Sequence, residues 1–334
     1  MARSGIQRRT IQVNGAGEFD LIVRIRARAT LGLRGDVVLG IGDDAALLRM
    51  PADQLLVVAT DTLNDGVHFP PDTTPADLGW KSLAVNLSDL AAMGARPAWC
   101  TLSLSMPHAD GQWIDAFLDG FLDLAKHHEV ALVGGDTTRG PLSVCVTVHG
   151  FVAPDRALRR AGGQIGDDIW VTGTLGDAAA ALTQWRAGGA ADPALRQRLD
   201  RPQPRIIVGQ QLIGIANACI DVSDGLLADL GHLCVASGVA AQVDLDALPA
   251  SPTLAAMFTA ETRRTLQACG GDDYELCFTA AQSQRQTLAE MAERAQLAMT
   301  RIGTLVSGSG VIARDRQGQP WATSSHGYDH FGGH

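Results

Sequence analysis

A series of aspartates stands at strand ends and in Gly-rich turns, where a carboxylate strains a fold unless it has a task. They are Asp43 and Asp44 in GIGDDAA, Asp61 in VVATDT, Asp89 in VNLSDLAAMGA, Asp136 in LVGGDTTRG, and Asp221 and Asp224 in IDVSDG. Each lies beside apolar strand or helix residues, so each is expected to be partly buried and to need a cation or another partner. Hard carboxylate oxygens suit Mg²⁺, which takes a few protein carboxylates and completes its shell with phosphate oxygens and water. Ordinary readings exist for single members. Asp224 stands where a helix N-cap would, Asp136-Thr137-Thr138 fits a turn, and Asp89 fits a solvated helix position. Surface carboxylates are the default for any one of them. Recurring in every one of these settings, they favour bound metal.

Composition narrows the chemistry. The chain of 334 residues is long enough for two domains, and 46% hydrophobic against 19% charged residues gives it a core to bury. A net charge of −9 argues against nucleic acid and membrane surfaces, both of which want a basic face. An acidic protein that handles phosphorylated molecules must offset their charge with bound cations or local Arg and Lys. Cys100, Cys145, Cys219, Cys234, Cys269 and Cys277 form no CxxC pair and sit mostly in apolar stretches, so they read as free thiols in a reducing compartment. Arg8-Arg9 imitates a twin-arginine signal, but no apolar run of leader length follows it. No segment approaches the ~20 apolar residues of a membrane span. A soluble, cytoplasmic protein is expected.

Periodicity outlines the elements that must position the aspartates. Residues 1–16 read as a loose extension. Helices are expected over Gly17 to about Thr30, Pro75–Met93 and Trp113–His127, the second closed by Gly94. Strands are expected at Val37–Ile41, Leu55–Thr60, Trp99–Met106, Val130–Val133 and Ser143–Val152. The pattern breaks at Ala153-Pro154-Asp155, which sets domains at 17–153 and 154–334. The second half reads as strand Asp168–Thr172, a helix around Ala178–Leu182, and a Gly/Ala/Pro-rich surface stretch from Gly188 to Pro204. Helix Ile206–Ala216, strand Ala218–Val222, helix Leu226–Ser237 and strand Ala241–Leu245 follow, then strand Glu275–Phe278, helix Gln282–Ala295 and C-terminal strands. This alternation suggests an α/β layer.

Some motifs are decoys. Gly40-Ile41-Gly42-Asp43-Asp44-Ala45, with Asp61 beyond, imitates a dinucleotide-binding fingerprint. A parallel crossover needs about 10–12 residues or more, and Ala46–Gln54 with Pro51 leaves too little room. Asp43 and Asp44 would also set two negative charges where a pyrophosphate must rest. Gly79-Trp80-Lys81-Ser82 lacks the upstream glycine of a P-loop. His326, His330 and His334 recur at helical spacing among glycines that disfavour a helix, and Cys269 and Cys277 have no adjacent base.

Longer motifs carry a resemblance. GEFDLI at 17–22, GIGDDAALL at 40–48, ATDTL at 59–63 and DLGWKSLAVNLSDLAAMGARPAW at 77–99 resemble the thiamine-monophosphate kinases. So do GGDTTRGPLS at 134–143, DVSDGLLADLGH at 221–232, GDDYELCFT at 271–279 and GYDHF at 327–331, in order and with natural spacing. The resemblance implies a two-domain α/β (α+β) fold of the aminoimidazole ribonucleotide synthetase type, dimerised through its N-terminal domains. It implies ATP-dependent conversion of thiamine phosphate into thiamine diphosphate, the last step in making that compound, with several Mg²⁺ ions. By this carry-over Asp44, Thr60, Asp61, Asp89, Asp136, Asp221 and Asp224 are metal ligands. Gly135, Asp136, Arg160 and Ser223 match ATP-contacting positions, and His68, Asp272 and Tyr328 match substrate-contacting ones. Ala59 stands where some relatives have Ser, and GGDDYEL replaces the usual GGEDYEL. Asp272 is therefore one methylene shorter than the family's Glu, and its contact is expected to be lost, bridged by water or taken over by Asp273.

Rival readings are another enzyme of the same fold, a catalytically silent thiamine-phosphate or nucleotide sensor, and an NAD-dependent oxidoreductase. Selenophosphate synthetases and hydrogenase-maturation dehydratases need, respectively, a reactive cysteine or selenocysteine near the N-terminus and a C-terminal cysteine. Here the first cysteine is Cys100 and the last residue His334. The complete aspartate set speaks against a silent sensor.

Overall fold

The computed structural model describes residues 17–29 and 34–321. Its first half runs α1 (Glu18–Ala29), β1 (Val37–Leu39), β2 (Leu47–Leu48), β3 (Leu55–Asn64), α2 (Pro75–Ala92), β4 (Arg96–Met106), α3 (Gly111–His127), β5 (Ala131–Arg139) and β6 (Ser143–Val152). The second half opens with β7 (Asp168–Thr172), α4 (Asp177–Arg186), α5 (Pro193–Asp200), α6 (Ile206–Gln211), β8 (Ala218–Asp221), α7 (Leu226–Ser237) and β9 (Ala240–Asp244). It closes with α8 (Pro252–Met257), α9 (Ala260–Cys269), β10 (Leu276–Ala280), α10 (Arg285–Ala295), β11 (Met299–Val306) and β12 (Gly310–Arg314).

Helix α2 is apolar around most of its circumference, and a helix of that kind must be buried on all sides. It starts where Thr74 accepts the Asp77 N–H and Pro75 occupies the first turn. It packs on α3, on strands β3 and β6, and on α6 and β8 of the second half, so it forms the seam of the molecule. Gly79 and Gly120 allow the tight α2–α3 crossing: a Cβ on either would overlap the carbonyl of Phe117 or of Ala76.

The N-terminal sheet has the order β3-β6-β4-β5, with β4 and β5 parallel and the other neighbours antiparallel. Its inner residues, such as Val144, Val146 and Val148, are sealed against the helices. Its outer face leaves Leu56 and Val58 exposed. The C-terminal sheet has the order β12-β9-β11-β7-β10-β8, and β9–β12 is its parallel pair. The fold is thus α+β, two main sheets each with their helices, joined along α2, beside the small two-stranded β1–β2 sheet.

Several expectations need correction. The surface stretch 188–204 holds a helix that was not anticipated: Asp192 accepts the N–H groups of Ala194 and Leu195, Pro193 fills the first turn, and α5 follows. Leu195 and Leu199 are buried on its inner side. The Gly and Ala content of the stretch masked this Asp-Pro start. The helix expected to reach Ala216 stops at Gln211, before Gly214 at φ 82. Helices α8 and α9, capped by Ser251 and Thr259, were not anticipated. Around the dinucleotide decoy, β1 pairs antiparallel with β2, so no parallel crossover exists there. Residues 1–16, Tyr328, His326, His330 and His334 lie outside the described residues. All the cysteines are free, and Cys100, Cys219, Cys234 and Cys277 are buried. Among the described residues no helix is long and apolar enough to cross a membrane.

Candidate active site

The seam between the sheets gathers carboxylates. Asp61 sits in β3 opposite Val146, an inward-facing residue, so its side chain lies on the helix-covered face. Its backbone N–H is held by Asn86 Oδ1 of α2 at 2.9 Å. Two residues on, Ser88 of α2 donates to Asp221 Oδ2 of β8 at 2.7 Å, and Asp89 follows. Asp221 is buried; Asp61, Asp89 and Asp224 are half-buried.

These groups act on one another. Burial and then the Asp224 charge raise the pKa of Asp61 above the usual carboxylate range. Burial, then the charges of Asp221 and Asp61, push Asp89 up to about 8, against the opposing pull of Arg160. Burial also raises Asp221, with Asp61 adding to it and the Ser88 hydrogen bond and Arg160 holding it back. Removing negative charge by a proton or a cation relieves the same repulsion. Among the described residues, no three His, Cys, Asp or Glu side chains are gathered closely enough to enclose a metal ion unaided. A cation seated here would take further oxygens from phosphate or water. That is the coordination habit of Mg²⁺, and the all-oxygen donor set fits it.

The loop carrying Asp224 is pinned from below. Asp229 Oδ2 accepts the backbone N–H groups of Ser223, Asp224 and Gly225 at 2.9, 3.1 and 3.2 Å. Asp229, not Asp224, therefore does the capping. Burial and then Asp221 and Asp224 push the Asp229 carboxyl up to about 7. The sequence reading missed Asp229, although its place one turn into α7 was a signal.

A second loop is stitched to the first. Asp272 donates its N–H to the Ser223 carbonyl, Tyr274 to that of Val222, and Val222 to that of Glu275, each at 2.8 Å. Asp272 and Tyr274 adopt left-handed backbone conformations, φ 69 and 49. Such a conformation is mild for Asp but strained for Tyr. Anchors on either side hold the loop in it. Both Asp273 oxygens accept the Gly176 N–H, and fully buried Glu275 is clamped by Arg198, Arg205 and the Thr172 hydroxyl. Asp273 is thereby committed to the interior. Asp272 instead receives the Tyr274 hydroxyl at 3.1 Å and the Lys81 ammonium at 3.2 Å. His68, at the end of the β3 excursion, accepts the Asn64 N–H at Nδ1 and the same ammonium at its carbonyl.

Other expected site residues stand elsewhere. Asp44 and Asp136 are exposed, contrary to the expectation that every aspartate would be partly buried. Asp44 lies in the solvated β1–β2 turn, where its N–H meets Asp43 Oδ1 at 2.8 Å. Asp136 pairs in register with outward-facing Ser103, so it projects from the sheet face opposite Asp61. Its Oδ1 accepts the Thr137 N–H. Thr60 shares that outer face, donating to the Val146 carbonyl at 3.1 Å and pairing with Thr147 Oγ1. Gly135 has φ 150, and a Cβ there would overlap the Leu102 carbonyl, so β5 can hug β4 only with glycine. Arg160 is exposed; Ser237 donates to its carbonyl at 2.9 Å, fixing the segment beside α7.

Comparison with known proteins follows the same outline. A family model described as AIR synthase related protein, N-terminal domain, matches residues 42–152, and its C-terminal counterpart matches 164–316. The thiamine-monophosphate kinase of Escherichia coli strain K12 is 47% identical over 321 residues, covering 94% of this chain and 98% of that one. The crystal structure of the enzyme of that name from Stenotrophomonas maltophilia K279a superposes with a TM-score of 0.84 at 57% identity, covering 90% and 97% of the two chains. A ThiL structure complexed with AMPPCP and TMP gives a TM-score of 0.73 at 32% identity, covering 97% of this chain and all of that one. Hydrogenase maturation protein HypE shares the fold alone, at 19% identity. On identity, coverage and fold together, the chain belongs to the thiamine-monophosphate kinase family.

Proposed function

We propose that the chain uses ATP to phosphorylate thiamine phosphate, giving thiamine diphosphate and ADP, with Mg²⁺ as the required cation. The observation that carries this is the inter-sheet cleft. There, mutually repelling Asp61, Asp89, Asp221 and Asp224 face Arg160, and the Ser223 loop is hydrogen-bonded to the Asp272 loop. A relative solved with AMPPCP and TMP supports the pairing of a nucleotide with that acceptor. Nothing in the cleft favours a silent sensor.

Asp61, Asp89, Asp221 and Asp224 would hold Mg²⁺ here, with Asp44, Thr60 and Asp136 supplying oxygens at the outer side of the sheet. Bound Mg²⁺ offsets the charge of the transferring phosphoryl group and of its acceptor. Gly135, Asp136 and Ser223 meet the nucleotide, and Arg160 sets a guanidinium against phosphate. His68, Asp272 and Tyr328 meet thiamine phosphate. The acceptor phosphate is a dianion near neutral pH and needs no strong base, so its oxygen attacks the γ-phosphorus directly as the bond to the β-phosphate oxygen breaks. The residues supply alignment.

In this reading residues 17–153 form the domain that binds ATP and Mg²⁺, and 154–334 the second domain. Two copies join through the first domain. The exposed apolar side chains Leu56 and Val58 on the outer sheet face support such a homodimer. The protein works in the cytoplasm, where ATP is available.

Phosphorus NMR of the protein with ATP, Mg²⁺ and thiamine phosphate tests the function. Diphosphate resonances of thiamine diphosphate should grow in step with ADP. ADP with inorganic phosphate alone would refute it. Chiral γ-thiophosphate should emerge inverted, whereas retention would demand a phosphoenzyme.

A further inference from the structure

Lys81 has none of its surface exposed, although it sits on α2 between the two halves. A buried ammonium is strongly unfavourable unless paired. Its partners come from opposite walls: the His68 carbonyl of the N-terminal half and Asp272 Oδ1 of the C-terminal loop, both at 3.2 Å. Asp200, at the end of α5, feels the same cation. Its Oδ2 is bound by Arg196, while its Oδ1 is buried without a hydrogen-bond partner. Lys81, Ser88 and Asp89 also share one stripe of α2, at positions i, i+7 and i+8. One helix face thus reaches the Asp272 loop through Lys81 and Asp221 through Ser88.

We propose that Lys81 is a positioning residue for thiamine phosphate, setting through one buried ammonium the separation between the His68 turn and the Asp272 carboxylate. This rests on the reading above that His68 and Asp272 meet that substrate. Sealed from solvent, Lys81 acts through those residues and does not touch the substrate. The arrangement also accounts for aspartate at 272. Lys81 and Tyr274 hold the short carboxylate in place, and Asp tolerates the left-handed backbone that this loop imposes.

Steady-state kinetics of the full chain with Lys81→Met, Asp272→Asn and the double variant test this. Lys81→Met should raise the KM for thiamine phosphate by about tenfold or more, the scale of a lost charge-assisted hydrogen bond, with the KM for ATP within about twofold. Adding Asp272→Asn to it should worsen that KM by no more than about twofold, because the two residues act as one unit. An unchanged thiamine-phosphate KM, an ATP KM rising in step, or effects that multiply would overturn the role. Should Lys81→Met not fold, Lys81→Arg carries the same comparison, since it keeps the charge but displaces it. A rise confined to thiamine phosphate supports the role; a rise in both constants, or in neither, refutes it. A wild-type protein that makes no thiamine diphosphate would bring down the function with the proposal. Loss on Asp272→Asn without loss on Lys81→Met would bring down Lys81 alone.

Discussion

The two faces of the N-terminal sheet hold aspartates that look alike in sequence and behave differently in the fold. On the inner face Asp61 shares a cleft with Asp89, Asp221 and Asp224, and burial with the neighbouring negative charges makes the ionised carboxylates of Asp61, Asp89 and Asp221 a burden. On the outer side Asp136 and Asp44 are exposed, and solvent screens them. The same metal-ligand assignment therefore carries two energetic meanings. Under the proposed assignment a cation would relieve the inner-face residues, whereas the outer-side residues would contribute only when the substrates and their metals assemble.

The largest expected effect is on turnover, and it should not distinguish the faces. Asp61→Asn and Asp136→Asn should each lower kcat by roughly a hundredfold or more and raise the Mg²⁺ requirement, because charge neutralisation dominates phosphoryl transfer. A Mg²⁺ titration of the rate checks both; near-normal rates at low Mg²⁺ would sink the metal assignment.

Next in size is substrate selectivity. Asp272→Ala should raise the KM for thiamine phosphate by about tenfold and leave that for ATP nearly unchanged. If the ATP constant moves instead, the loop serves the nucleotide.

Stability is where the faces should part. Burial and the charges of Asp221 and Asp61 push the folded Asp89 carboxyl up to about 8, above its ordinary value of 3.8, so between these limits the native state binds the extra proton. Metal-free protein should therefore lose stability as pH rises from the ordinary carboxylate range towards about 8. Near pH 7, Asp89→Asn should stabilise the metal-free protein by roughly 1 kcal/mol or more, a rise of a few degrees in Tm, and flatten that slope. The smallest effect belongs to the outer side: Asp44→Asn should change metal-free stability by less than about 0.5 kcal/mol. Thermal unfolding across pH compares the two, and equal shifts in both would erase the distinction drawn here.

Much of this was legible in the chain. The strand Ser143–Val152 and the helix Leu226–Ser237 appear where alternation and helical spacing put them. The motifs of Asp61, Asp89, Asp221 and Asp224 marked the cleft, whereas those of Asp44 and Asp136 stand outside it. Which face each aspartate takes was not legible, since it depends on pairing register: Asp61 opposes buried Val146, while Asp136 opposes outward Ser103. Lys81 was hidden for a related reason. Its motif invited comparison with a P-loop, and its real partner, Asp272, lies far along the chain and reaches it only through folding. Asp229 escaped because its partners are backbone N–H groups, which any sequence supplies.

The central claim is that the inter-sheet carboxylates form a cation seat whose strain Mg²⁺ relieves. Thermal unfolding of metal-free and Mg²⁺-saturated protein from about pH 6 to about pH 9 tests it most directly. The gain in Tm on adding Mg²⁺ should grow with pH as the competing protons leave, and should vanish in the Asp61→Asn, Asp89→Asn double variant. A gain that is constant across pH, or that survives in the double variant, would contradict the account.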